Sequence, residues 1–239
     1  MSTIVTGFLT NQNAHRSQKQ YADFGSKLLR HRALQIVCFL EEAVYLEHFN
    51  KEVFPNVRFR IFEKDDNYLT KLNTSRFKLA TDNPGKDTLD YMITICHKTE
   101  WVRMAIQENP FSSDHFMWVD FGIYHVIKDS DRFSTAIEAA SHKKYNKVRI
   151  ASCNDPENTK VPENIFVRIA WYFAGGVFGG NIESLIDFAA KTREKCCDII
   201  ESRKHIMWEV NVWYLVYSEC ADLFEPYHSL HDISIIEAY

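Results

Sequence analysis

The lysines and arginines of this sequence gather into no stripe, and the formal net charge is −4. The footprint of a protein that grips a phosphate backbone is therefore missing, and nucleic acid is not an expected partner. No apolar run is long enough to span a bilayer: the longest, IAWYFAGGVFGG, is short and rich in glycine. The first residues, MSTIVTGFLTNQ, lack both a basic segment and a long apolar core, so no integral membrane segment is expected and a cytoplasmic location is. The six cysteines form no CxxC pair. Cys38 and Cys153 fall in or beside strand-like runs and Cys96, Cys196, Cys197 and Cys220 in helix-like ones, which reads as reduced thiols rather than a disulfide framework. Asn73-Thr74-Ser75 matches a glycosylation triplet, which carries no meaning in such a compartment. Neither an internal repeat nor a dividing linker is found, so one domain over 1–239 is expected.

What is present is a large core. Hydrophobic residues make up 46% and aromatics 14% of 239 residues, enough to bury a core without disulfides or metals. Thr3 to Phe8, Gln35 to Leu40 and Phe116 to Asp120 read as buried strands, and Val57 to Phe62, VRFRIF, as a strand with one wet face. Lys147 to Ser152 and Phe166 to Phe173 add two more. Tyr21, Phe24 and Leu28 mark one face of a helix. DNPGK, from Asp82 to Lys86, is turn chemistry, followed by one long helix with Met92, Ile95, Thr99, Val102 and Ile106 inward, ended by Asn109-Pro110. Helices follow from Ile182 to about Ile200, with Leu185, Ile186 and Ala189 inward, and from about His205 to Glu219. Strands and helices that alternate in this way predict an α/β domain, a central, mostly parallel sheet flanked by helices.

Ligands of such sheets bind at the carboxyl ends of the strands, which selects Thr6 to Phe8, Asp120 to Gly122 and Ala174 to Gly180. Asp120 follows four large apolar residues, where a charge must be solvated or paired. It is either a ligand for a divalent metal such as Mn²⁺ or Mg²⁺, alone or shared with a diphosphate, or a capping aspartate at a strand end. AGGVFGG holds half of the eight glycines; it lets backbone approach a ligand or adopt positive φ, or it is a tight strand-to-helix corner. It is not a dinucleotide fingerprint. In HIMWEVNVWYLVY, Glu209 and Asn211 lie among aromatic residues, and Glu209 is either a structural ion-pair partner or a general base. His228 and His231 are either ligands or polar surface.

Taken in order, TIVTGFL, ICHKTEWVRMAIQENP, HFMWVDFGIYHV, AGGVFGG and MWEVNVWYLVY resemble the HtrL/YibB-like glycosyltransferase family, over nearly the whole chain. The resemblance implies a GT-A-like fold and transfer of a sugar from a UDP- or GDP-sugar donor to a glycan or other hydroxyl acceptor. On the donor side it implies Thr6, Gly7, Phe8, Arg16, Lys98, Gly175 and Gly176, with Asp120 at the metal-binding position and His231 as a late metal ligand. Glu209 and Asp120 are its catalytic pair. Gly122 stands where such motifs have a second carboxylate, which lowers the expected metal affinity. Two other functions remain open: a sugar-nucleotidyltransferase, disfavoured because TGFLTNQNAHR has one glycine, and a catalytically silent sugar-nucleotide or glycan-binding module.

Overall fold

The computed structural model describes residues 1–10, 16–72, 77–79, 81, 83–154, 161 and 164–239. Asn11 to Asn13, the Asn73-Thr74-Ser75 triplet and Asp82 lie outside them. The described residues contain a seven-stranded sheet: β1 (Thr3–Phe8), β2 (Gln35–Leu40), β3 (Val57–Ile61), β4 (His115–Val119), β5 (Val148–Ser152), β6 (Phe173–Asn181) and β7 (Phe224–His228). Its order is β3-β2-β1-β4-β6-β5-β7. All pairings are parallel except those of β6, which runs antiparallel to both neighbours.

Helices α1 (Gln18–Leu29), α2 (Glu42–His48), α3 (Leu89–Ile95), α4 (Lys98–Glu108), α5 (Ser130–Ser141), α6 (Ile182–Arg203), α7 (Glu209–Glu219) and α8 (Ser234–Glu237) cover the sheet. Successive residues of a strand point to opposite faces, so continuous apolar runs feed two cores. Val5, Phe116 and Trp118 share one with Trp101 of α4, Phe188 of α6 and Trp213 of α7. Ile4, Met117 and Val119 share the other with Leu28 of α1, Phe133 of α5 and Ile235 of α8. The expected α/β class with a mostly parallel sheet flanked by helices is the one observed.

Five expectations are corrected. The long helix is two, α3 and α4, broken at Cys96 and His97. No proline or glycine causes the break; it turns Lys98 into the first residue of a new helix. AGGVFGG is not the corner after a strand but the body of β6, and the strand expected at Phe166 to Phe173 begins only at Phe173. No described glycine has a positive φ, so close approach is the reason for glycine there. The last helix starts at Glu209, because His205–Ile206 forms a two-residue strand paired with Lys78–Leu79. Ile186 faces outward at 40% exposure. The six cysteines are all free.

Candidate functional site

In the order β3-β2-β1-β4 the chain leaves β1 toward one side and later returns to its other side, which makes the carboxyl ends of β1 and β4 a topological switch point. A cleft opens there in two lobes that share Lys86, Tyr91, Lys98, Asp120 and His125. The first lobe is walled by Gly7, Phe8 and Leu9 at the end of β1, by Arg16 and Tyr21 at the start of α1, and by Phe121 and Gly122 after β4. Phe8 stacks between Tyr21 and Phe121, with ring centroids 5.1 and 5.4 Å away. Gly7 is small because Trp101 lies against it: a Cβ there would stand 2.9 Å from the indole.

Lys98 occupies the junction. Its Nζ lies 2.9 Å from Asp120 Oδ1 and 2.9 Å from Glu209 Oε1, and donates to the Gly175 carbonyl at 3.0 Å. Burial alone would lower its pKa, but Asp120 and Glu209 outweigh burial and raise it, so the ammonium stays charged. Asp120 Oδ1 also accepts from Trp118 Nε1 at 2.7 Å, and the Asp120 amide donates to the Gly176 carbonyl at 2.9 Å. Strand β6 thus ties the end of β4 directly to the glycine pair. Glu209 is the first residue of α7, where the helix dipole favours a carboxylate. Gly175 must be glycine because Glu209 leans on it: a Cβ would stand 2.4 Å from Oε1.

The second lobe is walled by Gly175, Gly176, Trp208, Glu209, Trp171, His231 and Ile235. His125 is held by Nδ1 donating to the Gly122 carbonyl at 2.7 Å. Burial lowers its pKa, against the opposing pull of that bond, so it is neutral and offers Nε2. Burial, and then the charge of Glu209, push the Tyr91 pKa upward, keeping the phenol protonated.

The donor set for a divalent ion is thin. No group of three His, Cys, Asp or Glu residues placed to hold a metal exists among the described residues. Asp120 Oδ1 is already taken by Lys98 and Trp118. His231 lines the lobe, but its ring lies 6.3 Å from His125 and 5.7 Å from Trp171. These side chains do not make a protein-built Mn²⁺ or Mg²⁺ site.

Of the residues singled out in the sequence, Gly7, Phe8, Arg16, Lys98, Asp120, Gly175, Gly176, Glu209 and His231 line one lobe or the other. Thr6 does not: it is wholly buried in β1, and its hydroxyl has no partner among the described residues. Thr6 shares a strand face with Phe8 but lies two residues further from the strand end, inside the sheet. Tyr91, Lys86 and Trp171 were missed. Tyr91 lies beside residues that read as helix core, and Trp171 was hidden inside an expected strand. The Lys98 pairing was legible only as an oddity, a lysine on the buried face of KTEWV.

A family model described as "Bacterial protein of unknown function (HtrL_YibB)" matches residues 34–231. No curated protein matches the chain. Among solved structures, mouse xyloside xylosyltransferase 1 superposes with a TM-score of 0.48 at 14% identity, covering 95% of this chain and 84% of that one. The 4-diphosphocytidyl-2C-methyl-D-erythritol synthase of Anaerococcus prevotii superposes with a TM-score of 0.43 at 10% identity, covering 100% and 94%. Neither activity transfers to this chain at such distances. No helix of the described residues is long and apolar enough to cross a membrane.

Proposed function

This chain belongs to the HtrL_YibB family, and for its cleft we propose glycosyl transfer from a nucleoside-diphosphate sugar, UDP- or GDP-linked, to a hydroxyl of a glycan or similar acceptor. The observation that carries the reading is the Lys98 ammonium bridging Asp120 and Glu209 at the meeting of two lobes. A nucleoside fits the first lobe, with Phe8 and Tyr21 along the base and Arg16 toward the phosphates. The donor sugar lies at the junction, beside Gly175, Gly176 and the Glu209 and Lys98 side chains that pack over Gly175.

In the transfer step the acceptor oxygen forms a bond to the anomeric carbon while the bond from that carbon to the diphosphate oxygen breaks. The diphosphate leaves with the electron pair, and the acceptor proton passes to Glu209. Lys98 neutralises Asp120 so that the diphosphate can approach, and Arg16 adds positive charge where negative charge grows. Asp120 Oδ2 is left to accept from donor-sugar hydroxyls. The divalent ion expected from the sequence, with Asp120 and His231 as its ligands, has no step here.

The test is a thermal-shift series with UDP, GDP, CMP and their sugars, followed by donor hydrolysis. A donor at a hundred times its dissociation constant adds about 2.7 kcal/mol of stability. A shift with one nucleoside diphosphate, accompanied by slow release of its sugar, is expected. Neither shift nor release with any of them would overturn the reading.

A further inference from the structure

Of the five tryptophans, Trp101, Trp118, Trp208 and Trp213 are buried, at 4% exposure or less, while Trp171 is 41% exposed. Its φ is 54°, in the left-handed region that a bulky side chain avoids at a cost of about 1–3 kcal/mol. The neighbours impose it. Before it, the Ala170 amide donates to Asn211 Oδ1 at 2.9 Å; after it, Asn154 Nδ2 donates to the Trp171 carbonyl at 3.0 Å, and Tyr172 is buried and stacked on Tyr214 with centroids 3.8 Å apart. With both sides fixed, the indole is turned out of the core into the lobe that holds Glu209, Gly175 and His231. The His231 ring meets it edge-on, with centroids 5.7 Å apart and planes at 72°, which sets its orientation.

An aromatic face open to water beside a buried carboxylate matches a ring that is apolar on one side and hydroxylated at its edge. We propose that Trp171 is the platform for the acceptor, a pyranose whose C–H face lies on the indole while one hydroxyl reaches Glu209. The role as acceptor rests on the glycosyl-transfer reading; the binding of a sugar does not. The first lobe, with Phe8 and Tyr21, remains for the nucleotide.

Because the other four indoles are buried, acrylamide quenching of tryptophan emission reports Trp171. The full chain is titrated with the methyl glycosides of glucose, galactose, mannose and N-acetylglucosamine, and in parallel with UDP and GDP by thermal shift. At least one glycoside is expected to shield the emission saturably. In Trp171→Phe that glycoside still binds, followed by thermal shift, and in Trp171→Ala its affinity falls about tenfold, the loss expected of one stacking contact. Nucleotide shifts are unchanged in both variants. Shielding by a glycoside with no response to any nucleotide would keep the platform and remove the transfer reading. Absence of shielding by all four glycosides, or undiminished binding in Trp171→Ala, overturns the proposal. So does loss of the nucleotide shift in Trp171→Ala, which would make the indole a donor wall.

Discussion

Lys98 decides what a single substitution does at the cleft. Replacing it by methionine leaves Asp120 and Glu209 facing each other with no cation, and breaking a buried pair from one side costs about 3–5 kcal/mol. Lys98→Met is therefore expected to lower the urea midpoint sharply, and adding Glu209→Gln should restore part of it. Asp120→Asn is milder: the amide oxygen still accepts from Trp118, but Lys98 loses one of its two carboxylates. A stability loss of about 1–3 kcal/mol and a fall in donor turnover of about a hundredfold are expected from melting and hydrolysis of the two proteins; full turnover would remove Asp120 from the chemistry. His97, next to Lys98, is 3% exposed, and neither ring nitrogen has a partner among the described residues. Burial, then the charges of Arg193, Arg103 and Lys71, lower its pKa from 6.5 to about 3. Below pH 6.5 the unfolded chain takes up a proton that the folded one refuses until about pH 3. Stability therefore falls as pH drops through that window, by about 2 kcal/mol from this residue between pH 7 and 5. Urea midpoints of His97→Phe should lack that share of the slope.

Among the elements, the break between α3 and α4 and the antiparallel strand β6 make the site. The break brings Tyr91 and Lys98 to the cleft from two helices, and β6 enters the sheet with its glycine pair at the end where its parallel neighbours finish. Gly175→Ala would push a methyl into Glu209 Oε1 and loosen it from Lys98; the expected result is lost transfer with nucleotide binding retained, read by turnover against thermal shift. Asn211 of α7 pins the approach to β6: it accepts from the Ala170 amide at 2.9 Å and donates to the Ile165 and Arg168 carbonyls, each at 2.7 Å. Removing a buried side chain that satisfies three backbone groups costs about 1–3 kcal/mol or more, and Asn211→Ala should also raise acrylamide quenching of Trp171 by freeing the segment before it. Neither device was legible in the sequence. Periodicity finds apolar faces, and the face of α3 continues into α4 without a proline or glycine to mark the turn. Likewise AGGVFGG carries no side-chain alternation that would distinguish a strand from a corner.

For the whole molecule, composition and alternation were enough for the α/β class; bounds within a residue followed for β1, β2 and β4 because strands buried on both faces are continuous apolar runs, and for β3 because its residues alternate. They missed α2, α5 and β7, whose short or mixed faces carry weak patterns. The site was half legible: strand ends selected Gly7, Phe8, Asp120 and the glycine pair, while the convergence on Lys98 depends on elements far apart in sequence. Because the described side chains supply too few ligands, Mn²⁺ without nucleotide should leave the melting temperature unchanged, and a shift by the metal alone would reveal a site that donor set does not suggest.

The sheet order carries a consequence for how the chain is made. Strand β6 lies between β4 and β5 yet follows both in sequence. As the polypeptide leaves the ribosome, β1 to β4 can assemble in order, but β4, apolar at four of its five residues, then forms a bare edge until the stretch through Asn181 arrives. Over the same interval β5 has no strand to join. An unpaired apolar edge invites self-association, so the nascent chain is most in need of a chaperone between the emergence of Val119 and that of Asn181.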